Sequence, residues 1–261
     1  LMSYLNKFEI ETSYGIKAWK RWGNTAEQII KSNPYVLCIQ GVDLSFSRAD
    51  AVAAKSDIPA DSECRIKAGI TYILRQNADQ GHTCLPLDSL VKTAVSYLDV
   101  DEKLIKKVIE DETEEENLYY YDKHGRRFVM LADFYKAEDY IARRLAIMRQ
   151  ISYDNKIDFS EVIDLEEENN GIQYEKIQRE AINLALSKGF LVLTGGPGTG
   201  KTTTLNAIIS LYQQQGLNVM ICAPTGRAAK RLSDLTGFDA KTIHRLLEVK
   251  HTSGDTLAFI H

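Results

Sequence analysis

A chain of 261 residues is long enough for two domains or one large one, and a hydrophobic content of 44% is ample for folded cores. The net charge of −4 removes any global basic signature of nucleic-acid binding, although a local patch acts independently of the sum. Cys38, Cys64, Cys84 and Cys222 are far apart and form no Cys-x-x-Cys pair, so thiols in a reducing, cytoplasmic setting are expected rather than a zinc site. No apolar run approaches membrane-spanning length and there is no signal peptide, so no membrane partner is expected.

Residues 1–55 read as short helices with polar turns, punctuated by Asn33-Pro34-Tyr35 and Gly41, with Ser47 placed to cap a helix carrying Ala49, Val52 and Ala53. Residues 56–150 have another rhythm. Ile66, Ile70, Ile73 and Leu74 mark a helix ended by Gln80-Gly81; Leu87, Leu90 and Val91 mark a second, and Leu104, Ile105, Val108 and Ile109 a third. Two apolar and aromatic runs then flank Asp122-Lys123-His124-Gly125, which predicts a β-hairpin. Three helices followed by a hairpin is the order of a winged helix. A helical pattern with Ile141, Leu145 and Met148 follows.

Two acidic clusters, 110–116 and 161–168, read as solvated surface or linker, because runs of like charge repel and seldom focus on one substrate. Residues 151–171 are therefore expected to be an acidic linker. From 172 to 261 the pattern alternates as a parallel sheet requires: helix 174–187, strand 190–194, a glycine-rich turn, helix 201–214, strand 218–222, helix 227–235 and a short helix 242–249. The chain starts directly on a helical pattern and ends at Phe259-Ile260-His261 inside an expected strand or loop, as a piece cut from something longer would.

The glycine-rich turn is a complete P-loop, Gly195-Gly196-Pro197-Gly198-Thr199-Gly200-Lys201-Thr202, followed by Thr203. A strand, this turn and a following helix together expose backbone N–H groups and aim a helix N-terminus at phosphates. Lys201 is placed to reach the β- and γ-phosphates of ATP, and the Thr202 hydroxyl to take a position on Mg²⁺. The helix after it carries the stripe Leu205, Ile208, Ile209 and Tyr212.

Three other features bear on chemistry. Gln178 precedes Gly195 by seventeen residues, and its amide offers the donor and acceptor that match the edge of adenine, although an exposed helical glutamine would look the same. Pro224, Thr225, Gly226 and Arg227 open a basic helix after the second strand and are suited to a phosphodiester backbone, or to solvent. In Thr242-Ile243-His244-Arg245-Leu246-Leu247, the apolar residues face a core, which leaves Thr242, His244 and Arg245 available to a ligand or His244 to a structural role.

Together these residues resemble the superfamily 1 DNA helicases, most closely the RecD-like branch typified by the alpha subunit of exodeoxyribonuclease V. Gln178 matches the glutamine motif, 195–203 motif I, 223–232 motif Ia and 242–247 the next DNA-facing motif. Residues 14–23 and 33–35 resemble the helix-hairpin-helix segment of that family, and Gly81-His82-Thr83 the start of its winged-helix-like domain. The resemblance implies α/β plus mainly α architecture. A helix-hairpin-helix-like region (1–55), a winged-helix-like domain (56–150) and the acidic linker (151–171) would precede the first part of a RecA-like motor domain (172–261). It further implies ATP and Mg²⁺ as cofactors, single-stranded DNA and duplex junctions as partners, and 5′-to-3′ translocation in recombination and repair. In one departure, Gly41-Val42-Asp43-Leu44-Ser45-Phe46 stands where the family places a glycine-rich hairpin that grips a backbone. The family's Asp-Glu motif and second motor domain would lie beyond His261, so these residues alone are expected to be inactive. A P-loop switch acting on a protein partner is the alternative. A DNA-binding module with a vestigial P-loop is disfavoured because every P-loop position is intact.

Overall fold

Polar turns break residues 1–55 into α1 (Met2–Asn6), α2 (Thr12–Trp22), α3 (Ala26–Ser32) and α4 (Phe46–Ala54). Asn33 closes α3 and opens a 3-10 turn, Pro34–Cys38, with its side chain accepting from the Tyr35 N–H at 3.0 Å. The N-cap of α4 is Ser45 rather than Ser47, because the buried ring of Phe46 fixes the first helical residue. The computed structural model describes residues 1–151 and 159–248, and the backbone of 250–251 and 257–258. The sequence expectations for Val249 and 259–261 lie outside the described residues.

The next elements are α5 (Glu63–Asp79), β1 (Cys84–Pro86), α6 (Leu87–Leu98), α7 (Glu102–Glu114), β2 (Leu118–Lys123) and β3 (Arg126–Leu131). Their antiparallel sheet has the order β1-β3-β2. The three-residue β1 was not legible in the sequence, since it is too short to show alternation. His124 and Gly125 form the hairpin turn with φ of 51° and 71°, the left-handed pair whose twist suits a two-residue loop.

One hydrophobic core runs from Leu5 to Leu131, so the N-terminal helices and the elements from α5 to β3 fold around the same interior. Gly69 lets α5 and α6 close together, since a Cβ there would stand 2.6 Å from Leu98. At the edge of this core Arg65 binds three segments. It donates to Asp50 at 2.7 and 3.2 Å, to the Ala60 carbonyl at 2.7 Å and to the Leu98 carbonyl at 2.8 Å, while Tyr35 donates to Asp50 at 2.5 Å. Burial alone would raise the Asp50 carboxyl, but hydrogen bonds from Arg65 and Tyr35 outweigh it and hold the group below its usual range.

The chain divides into two compact units, one spanning Leu1–Asp139 and the other beginning at Tyr140. The helix α8 (Ala132–Gln150) contains the boundary, and none of its residues is buried, so the stripe Ile141, Leu145 and Met148 marks a helix without a core behind it. In the second unit α9 (Ser160–Asn170), α10 (Lys176–Ser187) and α11 (Lys201–Gln214) share a core that includes Phe159, Ile163, Ile182, Leu186, Ile208 and Leu211. The buried stripe of α11 is Thr204, Ala207, Ile208, Ile209 and Leu211. Leu205 and Tyr212 are only half-buried, although Tyr212 packs against this core and its hydroxyl donates to the Ala185 carbonyl of α10.

The acidic stretch 161–168 is neither extended nor wholly solvated. It forms most of α9, and Glu166 is 3% exposed. Its carboxylate accepts from Gln214 at 2.8 Å and Asn170 at 2.9 Å, and Glu167 accepts from Arg179 at 2.6 Å. A charge run is drawn inward here because each inward carboxylate meets a donor from a neighbouring turn or helix.

The expected strand 190–194 pairs with no strand among the described residues. A strand requires a neighbour as well as a pattern, and none of the described residues lies alongside; Val192 is 68% exposed. The parallel sheet consists, among the described residues, of β4 (Ile221–Ala223) and β5 (Ala240–Thr242), joined by α12 (Gly226–Thr236) and followed by α13 (Ile243–Leu246). The second strand is thus shorter and later than the 218–222 expected. No helix among the described residues is long and apolar enough to cross a membrane.

Replacing Asp50 by Ala leaves the Arg65 guanidinium and the Tyr35 hydroxyl without their shared acceptor. The expected loss is about 2 kcal/mol of stability in the first unit, measured by urea unfolding. Because the folded pKa is lowered, the Asp50 contribution is present above the unfolded value of about 3.9 and disappears as pH falls through the folded one, so the difference between parent and variant should shrink only below that pH.

Candidate nucleotide-binding and DNA-facing site

The P-loop stands at the N-terminus of α11, and its shape rests on Gly198 and Gly200, both with φ of 74°. A side chain at 198 would meet nothing within 4 Å, so the loop backbone is open on that side to an incoming group. A Cβ at 200 would stand 2.1 Å from Gln178 Nε2. The Gly200 carbonyl accepts from the Thr204 N–H at 2.9 Å, from the Thr204 hydroxyl at 3.1 Å and from Gln178 Nε2 at 3.5 Å.

Gln178 and the P-loop, 22 residues apart at Gly200, are therefore brought together. The same glutamine closes a capping box on α10: its Oε1 accepts from the Glu175 N–H at 2.9 Å. Each half of the amide thus has one intramolecular partner, and each half also carries a second N–H or lone pair. Lys201 folds back over the loop, with its ammonium donating to the Gly195 carbonyl at 2.6 Å and to the Gly196 carbonyl. Thr199 donates to the Gly196 carbonyl at 2.9 Å. Thr202 and Thr203 are half-exposed on the first turn of α11, and Gly195, Gly196 and Pro197 are exposed.

These residues fit a triphosphate. The first-turn N–H groups of α11 have no intrahelical partner, the glycine turn is open beside them, and the Lys201 ammonium is lodged on loop oxygens, the Gly195 and Gly196 carbonyls and the Thr199 hydroxyl, that a phosphate would displace. Among the described residues no group of three or more His, Cys, Asp or Glu side chains is arranged to hold a metal ion.

The other two motifs also meet. β4 and β5 are parallel, with Ala223 opposite Thr242, so Pro224-Thr225 and Thr242-Ile243 leave the same carboxyl edge side by side. Each threonine caps its helix: Thr225 Oγ1 accepts from the Ala228 N–H at 3.2 Å and Thr242 Oγ1 from the Arg245 N–H at 3.2 Å. Pro224, Gly226, Arg227, His244 and Arg245 are exposed around them. Ile243 departs from its expected place in the core, with 40% exposure, because α13 is a single turn with only Leu246 and Leu247 tucked inward. Asn206 of α11 donates to the Leu235 carbonyl of α12 at 3.4 Å, which ties the P-loop helix to this βαβ unit.

In the N-terminal helical region, the turn at Gly41 closes on Asp43. Gly41 has φ of 93°, and its N–H donates to both Asp43 carboxylate oxygens, at 3.1 and 3.2 Å. A carboxylate sits on the amide that a backbone phosphate would need.

A phosphate-binding turn ahead of a buried helix, a βαβ unit beside it and a separate helical region upstream define a P-loop NTPase preceded by a helix-hairpin-helix region. Comparison with known families agrees. Residues 1–84 match the ATP-dependent RecD2 DNA helicase HHH domain, and residues 178–259 match an AAA domain. The chain is 28% identical to the ATP-dependent RecD2 DNA helicase of Deinococcus radiodurans over 95% of its own length and 36% of that protein's. It is 42% identical to the RecBCD enzyme subunit RecD of Mycolicibacterium smegmatis over 27% of its length and 17% of the relative's, and 43% identical to the DNA-binding protein SMUBP-2 of Mus musculus over 26% and 7%. The chain is thus similar to RecD-like helicases over most of its length, and spans about a third of the length of the RecD2 relative.

Gly200→Ala should lower stability by about 1–2 kcal/mol from the left-handed φ alone, and more if Gln178 cannot move. Gly216 has the same φ of 74° and open space around it, so Gly216→Ala isolates the backbone term. Thermal unfolding of the two variants side by side should show Gly200→Ala as the more damaging.

Proposed function

We propose that this chain supplies the nucleotide-holding and DNA-guiding part of an ATP-dependent DNA helicase that moves along single-stranded DNA in the 5′-to-3′ direction and opens duplex at junctions. The observation that supports it most is the convergence within one unit of Gln178 and the P-loop, beside a βαβ edge that carries both remaining motifs. In this reading Gly195, Gly196, Pro197, Gly198, Thr199, Gly200 and Thr203 cradle the phosphates. Lys201 leaves the loop carbonyls to neutralise the β- and γ-phosphates, Thr202 turns its hydroxyl to Mg²⁺, and Gln178 reads adenine. Hydrolysis of ATP supplies the free energy. The protein's contribution is position and charge.

Thr225, Arg227, Thr242, His244 and Arg245 form the DNA-facing edge, with Pro224 and Gly226 shaping the turn. The upstream regions, 1–55 and 56–150, act as accessory domains, joined through 151–171 to the motor portion. Phosphoryl transfer in this class draws on an Asp-Glu pair and a second motor domain, so the 261 residues by themselves are proposed not to unwind DNA. Location in the cytoplasm follows from the same reading.

In a chain extended to the length of its relatives, Lys201→Ala should abolish ATP hydrolysis while circular dichroism stays unchanged, since Lys201 touches loop carbonyls and no core residue. Hydrolysis near the parent rate would overturn the P-loop assignment. Hydrolysis that DNA does not stimulate would favour instead a switch acting on a protein.

Arg227→Ala should weaken single-stranded DNA binding for all sequences alike and lower the salt slope by roughly one unit, with nucleotide binding close to the parent. A salt titration of affinity beside a nucleotide titration checks this. Equal losses in both would assign Arg227 to structure.

A further inference from the structure

The β2–β3 hairpin carries three cations and one carboxylate between residues 122 and 127, and all six residues are exposed. Asp122 is taken by Arg127 through two hydrogen bonds, at 2.9 and 3.1 Å, and Arg127 lies over the Tyr120 ring at 4.8 Å. Lys123 and Arg126 then stand directly opposite each other as the last pair of the ladder. Like charges in that position cost stability, and the carboxylate of Asp88 approaches Arg126 only to 3.9 Å. The tip therefore concentrates positive charge at a local cost that the fold does not require.

What stands behind the tip narrows the partner. Residues directly opposite share a face, so Lys123 and Arg126 lie on the same side as Tyr121 and Phe128, while Leu118, Val129 and Leu131 on the other side are in the core. Tyr121 is 45% exposed, with its ring 6.4 Å from Phe128. Two cations followed by an accessible ring are the pairing that single-stranded nucleic acid uses, with phosphates on charge and a base on the aromatic face. A duplex reader would use α7, the third helix, but that helix runs into Glu110, Asp111 and Glu114 and on to Glu115 and Glu116. The helical region's own turn is closed to phosphate by Asp43.

We propose that the outer face of the β2–β3 hairpin is a second DNA contact, holding single-stranded DNA by Lys123 and Arg126 with a base against Tyr121. The inference rests on the reading of DNA as partner, and is tested apart from it. Fluorescence anisotropy of a labelled oligothymidylate is measured with the 261-residue chain across a salt series. Lys123→Ala with Arg126→Ala should flatten the salt slope by roughly 1.4, from two phosphates at about 0.7 each. Tyr121→Ala should weaken binding roughly fivefold or more, and Tyr121→Phe should retain it. All these side chains are exposed, and unchanged thermal unfolding confirms that the fold is intact.

Parent-like affinity of the double variant at every salt concentration would overturn the proposal, as would a loss confined to blunt duplex. An unaffected Tyr121→Ala would overturn the assignment to single strands. If the hairpin variants bind normally while Arg227→Ala does not, only this inference falls. If no variant matters and DNA does not stimulate hydrolysis in the extended chain, the DNA reading falls with it.

Discussion

Residue 200 has to be glycine, and much of the second unit is arranged around that requirement. Its φ of 74° turns the chain out of the loop and into α11, and its carbonyl gathers the donors of Thr204 and Gln178. One backbone group thereby joins the loop, its helix and the end of α10. The helix behind is anchored by Ala207, Ile208 and Leu211 against Ile182 and Leu186, so the loop is carried on a packed base. Flexibility at a single residue, combined with rigidity beneath it, lets a glycine-rich turn keep its shape without side-chain support.

The first unit is held by a different logic. Its hydrophobic core is continuous from the N-terminal helices to the hairpin, and direction comes from the polar joint at its rim. Arg65 is planar and carries several donors in fixed directions, which is why one side chain can bind Asp50 and two backbone carbonyls from separate segments. Tyr35 adds the fifth member, and its ring stacks on Phe46, whose own neighbour is Tyr72. Apolar burial supplies most of the attraction there, and the charged joint fixes which surfaces meet.

Much of this was legible in the sequence, for reasons that differ by element. Helices with several turns announced themselves through periodicity, and α11 begins and ends where its pattern did. The hairpin was readable because His124-Gly125 can only be a tight turn between two strand-like runs. What the sequence hid were relations. Whether 190–194 becomes a strand depends on a neighbour, which the run itself does not encode. The acidic stretch 161–168 carried no hint that Glu166 would find Gln214, 48 residues away. The P-loop was readable as chemistry because its residues are contiguous. That Gln178 reaches Gly200, and that Ala223 lies beside Thr242, required the fold.

The two capping threonines carry a consequence for how such a surface can change over time. Thr225 and Thr242 each use an oxygen lone pair to satisfy an amide of their own helix, which leaves the hydroxyl proton outside that bond. Under the proposed function the same atom is answerable to two demands. Serine meets both. Aspartate and asparagine would satisfy the helix equally well, but aspartate has no proton to give and would turn a phosphate away. Drift at these positions passes through two filters of different width, and only the narrower one concerns the ligand. A position can look tolerant when judged by folding and strict when judged by work done.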